Sequence, residues 1–167
     1  MALRNKGQRV GVLMDVQNLY HTAKNIYHSR VNFREILKLA INGRTPIRAF
    51  AYVVKTKTGE EKPFFDALTS LGIETRVKDL LEFYGGMKKA DWDVGLVIDA
   101  VRMAPSIDVL VLVSGDGDFV PMVEYLKNQG KRVEAITFGK SASSMLKEAV
   151  DEFIDLDENP KKYLLKK

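Results

Sequence analysis

The chain has no cysteine and only two histidines in its 167 residues. Without thiols there is no disulfide scaffold, no thiolate zinc site and no cysteine nucleophile, and two imidazoles are too few for an all-histidine metal centre. Any metal used here must be held by oxygen. Long apolar runs are missing too, since none approaches the ~20 residues a membrane span needs. The basic start MALRNKGQRVGVLMDV runs straight into a short apolar segment, without the longer stretch and small-residue cleavage site of a secretory signal. No membrane association is expected, and the cytoplasm is the expected compartment. Charge of one sign is scarce outside the ends. The net charge of +4 comes from 26 basic and 22 acidic residues, but Arg4, Lys6 and Arg9 open the chain and Lys161, Lys162, Lys166 and Lys167 close it. Residues 10–160 therefore hold 19 basic against 22 acidic residues, and net charge alone does not argue for a nucleic-acid partner.

A hydrophobic share of 46% and a charged share of 29% suit an ordinary globular protein of this length. Residues 1–167 read as one domain with its core at about 8–156 and a frayed basic tail at 159–167. Apolar runs rich in Val, Ile and Leu recur at Val10–Met14, Ile47–Val54, Ile73–Val77, Val109–Val113 and Val133–Ile136, with a short sixth at Phe153–Leu156. Helical periodicity fills the gaps: Gln17–His28, Phe33–Ile41, Lys62–Leu71, Asp91–Met103, a helix around Phe119–Leu126 closed by Gly130, and Ser143–Val150. Alternation of this kind predicts an α/β fold with a mainly parallel sheet between two layers of helices.

In such a sheet, ligands bind beyond the carboxyl ends of the strands where the strand order reverses. The first strand ends at Asp15 and the fourth at Ser114-Gly115-Asp116-Gly117-Asp118. With strand order 3-2-1-4-5, these loops share one crevice. Singly, each Asp fits a helix cap or a turn; together they point to a site. Asp93 joins them, because Asp93, Leu96, Val97, Ala100 and Ala104 form the inward stripe of the fourth helix. Asp91 reads as that helix's N-cap. Asp99, rotated about 120° from Asp93, is either a solvated charge or a residue supporting the site. Acids crowded into one crevice repel unless a cation or protons neutralise them, and carboxylates alone favour Mg2+ or Mn2+. Such ions serve phosphodiester hydrolysis.

Other motifs do not hold. Gly139-Lys140-Ser141 ends like a P-loop, but Glu134 replaces its opening glycine. The segment after Asp116 lacks the further ligand and glycine of a calcium loop. His21 and His28 share a helix face without an acidic neighbour and read as packing residues.

With Asp15-Val16-Gln17-Asn18 after the first strand, Lys89-Ala90-Asp91-Trp92-Asp93 through Asp99 at the fourth helix, and Ser114-Gly115-Asp116-Gly117-Asp118-Phe119 after the fourth strand, the chain resembles the NYN domain family over about residues 8–156. These are LabA-like relatives of the PIN and FLAP nucleases. The resemblance implies a PIN-like Rossmannoid three-layer sandwich and a Mg2+- or Mn2+-dependent ribonuclease, endoribonuclease-like, acting on RNA. It makes Asp15, Asp93, Asp116 and Asp118 the metal-site and catalytic acids, with Asn18, Asp99 and Ser114 supporting them. Phosphate contacts need cations at the rim. Lys55, Lys57, Lys88, Lys89 and Lys140 stand at the predicted carboxyl edge, with Tyr20, Tyr52, Phe83 and Tyr84 either stacking on bases or packing in the core. A homodimer is a further possible assembly. Two other readings stay open: an RNA-binding or regulatory module that keeps the metal site without turnover, and a phosphatase of small esters. The second is disfavoured because Asp15 is followed by Val16 and Gln17, not by the Asp-x-Asp of haloacid-type phosphatases.

Overall fold

A computed structural model describes residues 6–82, 88–89 and 91–165. Six strands form one sheet: β1 Arg9–Asp15, β2 Thr45–Lys55, β3 Glu74–Asp79, β4 Val109–Val113, β5 Arg132–Thr137 and β6 Glu152–Asp155. Their order is β3-β2-β1-β4-β5-β6, and every neighbouring pair is parallel. The expected order holds, and the short sixth strand closes one edge. Order reverses between β1 and β4, so the crevice lies beyond Asp15 and Val113. The third apolar run enters the sheet one residue later than expected: Ile73 packs in the core, and pairing begins at Glu74.

Side chains of the central strands alternate between two cores. Val10, Val12, Met14, Val109, Val111 and Val113 pack under α1 (Val16–Tyr27), α2 (Phe33–Ile41) and α3 (Lys62–Ser70). Leu13, Leu110 and Leu112 pack on the other face against α4 (Asp93–Met103), α5 (Val120–Asn128) and α6 (Ser144–Ala149). All five residues of β4 are buried, as expected for a strand covered on both faces. Among the described residues, no helix is long and apolar enough to cross a membrane.

As far as residue 165, the C-terminal segment is packed where the sequence suggested a frayed tail at 159–167, whose last two residues lie outside the described ones. Pro160–Tyr163 forms a last helical turn, α7, and Tyr163 is buried. The Tyr163 carbonyl accepts from Asn32 N at 2.8 Å, Val31 bridges Leu164, and Leu165 N donates to the Arg30 carbonyl at 2.8 Å. An aromatic anchor and backbone pairing fix this segment to the entry of α2. Composition is blind to both, because the lysines beside Tyr163 merely point to solvent.

Candidate metal centre

Asp15 ends β1 and caps α1, its Oδ1 accepting from Asn18 N at 3.4 Å. Its other oxygen accepts from Ser114 Oγ at 2.9 Å, and that hydroxyl in turn accepts from Asp116 N at 3.2 Å. Asn18 Oδ1 accepts from Gly115 N at 3.0 Å. The β1–α1 junction is thus stitched to the loop after β4. This loop packs tightly: a Cβ on Gly115 would lie 3.0 Å from Ala142 Cα, and one on Gly117 2.6 Å from Ser143 Oγ. Asp116 Oδ1 accepts from Asp118 N at 2.9 Å and caps the single turn Gly117–Phe119 that leads into α5.

The fourth helix begins two residues later than its periodicity suggested, at Asp93. Trp92 Nε1 donates to the Val53 carbonyl at 2.9 Å, its ring lies edge-on to Tyr52, and Lys78 Nζ sits 4.5 Å over it. The indole therefore pins the helix start onto β2. Asp91 stands one residue outside the cap position and accepts from Asp93 N at 2.6 Å.

This framework brings Asp93, Asp116 and Asp118 together, with one carboxylate oxygen from each within 4.8 Å of the others. Ligands around Mg2+ at about 2.1 Å stand roughly 3–4.2 Å apart, so small side-chain rotations would bring three hard oxygens into range. Among the described side chains, no Lys or Arg forms an ion pair with any of the three. Burial, then the charge of Asp91, then that of Asp116, and more weakly Asp15, push the Asp93 carboxyl up to about 7. Burial likewise raises Asp15, only partly offset by its bonds from Ser114 and Asn18. A site this acidic and this poor in compensating charge, built only from carboxylates, suits a hard divalent cation.

Asp15 lies outside the close triplet and joins it through Ser114. Asp99 stands apart: it is buried, accepts from Tyr52 Oη at 2.8 Å and lies 3.3 Å from Arg76 Nε. Tyr52 is therefore a core residue and not a surface for bases, while Tyr20 is exposed on α1. Phe83 and Tyr84 lie outside the described residues. Lys55, Lys57 and Lys140 are exposed. Lys88–Lys89 pairs with Leu81–Glu82 in a two-residue antiparallel ribbon, and their side chains lie outside what is described. His21 and His28 are exposed, and His28 ends α1 in the left-handed region at φ 50°. The turn Gly139–Ser141 holds no phosphate cradle, because Gly139 N and Lys140 N already donate to Asp155 and Asp157, both at 2.8 Å. Sequence reasoning gave Asp91 only a capping role. Its second role, as the acid acting most strongly on Asp93, was legible in the Asp-Trp-Asp spacing.

An all-parallel α/β sheet of this order, flanked by helices, is consistent with a PIN-like fold. The NYN domain model matches residues 9–157, and the chain belongs to the NYN domain family. It is 30% identical over 118 residues to the low amplitude and bright protein LabA of Synechococcus elongatus, a match covering 67% of this chain and 63% of LabA. It is 25% identical over 163 residues to the uncharacterized protein MJ0482 of Methanocaldococcus jannaschii, covering 94% of this chain and 59% of that protein. The matched region is thus about three-fifths of the length of either relative. The crystal structure of VPA0982 from Vibrio parahaemolyticus, a protein of unknown function, is 30% identical and superposes with a TM-score of 0.86 over 98% of this chain and 100% of that one.

Proposed function

We propose that the chain is a metal-dependent ribonuclease of the endonucleolytic kind, built as one NYN domain. Asp93, Asp116 and Asp118 would hold Mg2+ or Mn2+, with Asp15 behind them. The observation that carries this reading is the approach of the three carboxylate oxygens to within 4.8 Å without a compensating cation among the described side chains. A divalent ion at such a site supplies an activated water and neutralises charge on a phosphodiester. The chain's own residues do the positioning. Ser114 and Asn18 fix the β1 and β4 loops to each other, Trp92 fixes the start of α4 to β2, and Asp116 sets the turn that presents Asp118. Lys55, Lys57, Lys88, Lys89 and Lys140 would meet phosphates around the rim.

Labelled single-stranded RNA incubated with the protein in Mn2+ or Mg2+, with and without chelator, tests the reading. Metal-dependent internal cleavage that Asp118→Asn abolishes is the expected result. Replacing Lys88 and Lys89 together should flatten the log–log salt dependence of RNA binding by about 1–2 units. Salt-dependent binding without any cleavage would leave an RNA-binding module, and turnover of a small phosphate ester but not of RNA would leave a phosphatase.

A further inference from the structure

A cavity of about 210 Å3 opens at the other end of α4, between the last turn of that helix and the first halves of β2 and β3. Three arginines line it: Arg48 from β2, Arg76 from β3 and Arg102 from α4. Two of them are held in place. The guanidinium carbons of Arg48 and Arg76 lie 4.4 and 4.6 Å from the centroid of the Phe50 ring. Glu74 grips Arg48 through two bonds of 2.8 and 2.9 Å, and Asp99 accepts from Arg76 Nη2 at 3.3 Å. Arg76 Nε lies 3.3 Å from Asp99 Oδ2 but out of line, so this buried N–H has no hydrogen-bond partner. Among the described residues, Arg102 forms no ion pair and its guanidinium makes no hydrogen bond.

Three cations against two carboxylates leave the cavity positive. Stacking and pairing have already removed much of the side-chain freedom that a ligand would otherwise have to freeze. Planar guanidinium forks match phosphate oxygens in twos. Asp93 and Arg102 lie on one helix, nine residues apart, which is about 14 Å along the axis and half a turn around it. A strand joining the two sites therefore passes around the helix as well as along it, over several nucleotides.

We propose that the Arg48–Arg76–Arg102 cavity is a phosphate subsite, which grips a phosphate of the nucleic acid strand whose scissile bond lies at the acid cluster. This rests on the nuclease reading above for its choice of strand. Asp99 is then a positioning residue: it orients Arg76 through one face while Tyr52 donates to it from the core. Two kinds of phosphate share the required chemistry, a terminal monoester and a backbone diester.

Binding separates them. In chelator, where the strand stays intact, affinities are measured for two single-stranded oligoribonucleotides that differ only in a 5′-phosphate or a 5′-hydroxyl, with inorganic phosphate as competitor. Wild type is compared with Arg102→Gln and Asp99→Asn, each checked for an unchanged melting profile. Arg102 has no side-chain partner to lose among the described residues, so its variant is expected to keep the wild-type melting profile. The cavity should contribute about fivefold to tenfold in affinity. Loss confined to the phosphorylated oligomer, with competition by inorganic phosphate also lost, identifies a terminal monoester. Equal loss on both oligomers, with a salt slope reduced by about 1, identifies a backbone phosphate. An Arg102→Gln protein that binds both oligomers like wild type, at the same salt slope, overturns the proposal even if wild type cleaves RNA. A wild type that binds as described but never cleaves overturns the nuclease and leaves the subsite.

Discussion

At the amino edge of the sheet, Glu134 is fully buried but meets Arg44 at 2.9 Å and Arg132 at 2.8 Å, while at the carboxyl edge Asp93, Asp116 and Asp118 face one another. Burial alone would raise the Glu134 carboxyl, yet the two guanidinium groups outweigh it and hold Glu134 below its ordinary value. Arg44 also donates to the Ala40 and Ile41 carbonyls, so it closes the end of α2 as well. Asp93 has no such partner among the described side chains and moves the opposite way, up to about 7. Similar side chains at opposite edges of one sheet thus have opposite electrostatic fates. Where a base is supplied, the cluster clamps the fold; where none is supplied among the described side chains, the acids stay unpaired, and the proposed metal is what would neutralise them.

The largest effect should come from breaking the paired edge. Arg44→Met strands part of a buried carboxylate and two helix-end carbonyls, and should cost about 3 kcal/mol in chemical denaturation. Adding Glu134→Leu should return a share of that loss, since the uncompensated charge disappears with it. A single variant with unchanged stability would show that Arg132 alone satisfies Glu134.

The next effect lies at the unpaired edge and depends on pH. In the unfolded chain Asp93 ionises near 3.8, in the folded metal-free chain near 7. Between those values the folded state keeps a proton that the unfolded state has lost. This group's contribution is therefore greatest below about pH 4 and declines as pH rises to about 7. Because Asp93 is only half-buried, solvent screening limits the change to about 1 kcal/mol. Asp93→Asn should remove that slope from the metal-free melting curves; an identical slope in the variant would place the strain elsewhere.

Asp116 gives the smallest and most discriminating change. Asn can still accept from Asp118 N, so Asp116→Asn should keep or slightly raise the metal-free melting temperature, whereas Asp116→Ala should lose about 1 kcal/mol with the cap. Equal losses in both variants would make the negative charge itself structural.

Much of this was legible in the chain because strands buried on both faces appear as continuous apolar runs, and Val10–Met14 and Val109–Val113 do so plainly. The carboxyl-edge acids were legible for the same reason, since Asp15, Asp116 and Asp118 follow those runs directly and Asp93 lies on an amphipathic stripe. What was not legible depends on distant partners. Arg44 and Glu134 are 90 residues apart, and nothing local marks either as buried. Asp99 could not be placed from periodicity alone, because its meaning comes from Tyr52 and Arg76 on two strands facing its helix. The docking of Pro160–Tyr163 depends likewise on Tyr163 finding Asn32.

The account turns on whether the unpaired acids bind a divalent ion, and calorimetric titration of the metal-free protein with Mn2+ measures that directly. Saturable binding in wild type, lost in both Asp93→Asn and Asp116→Asn while the Arg102→Gln protein binds as wild type does, is the predicted result. Binding that survives both acid substitutions, or no binding at millimolar Mn2+, would contradict the assignment of Asp93, Asp116 and Asp118 as a metal centre.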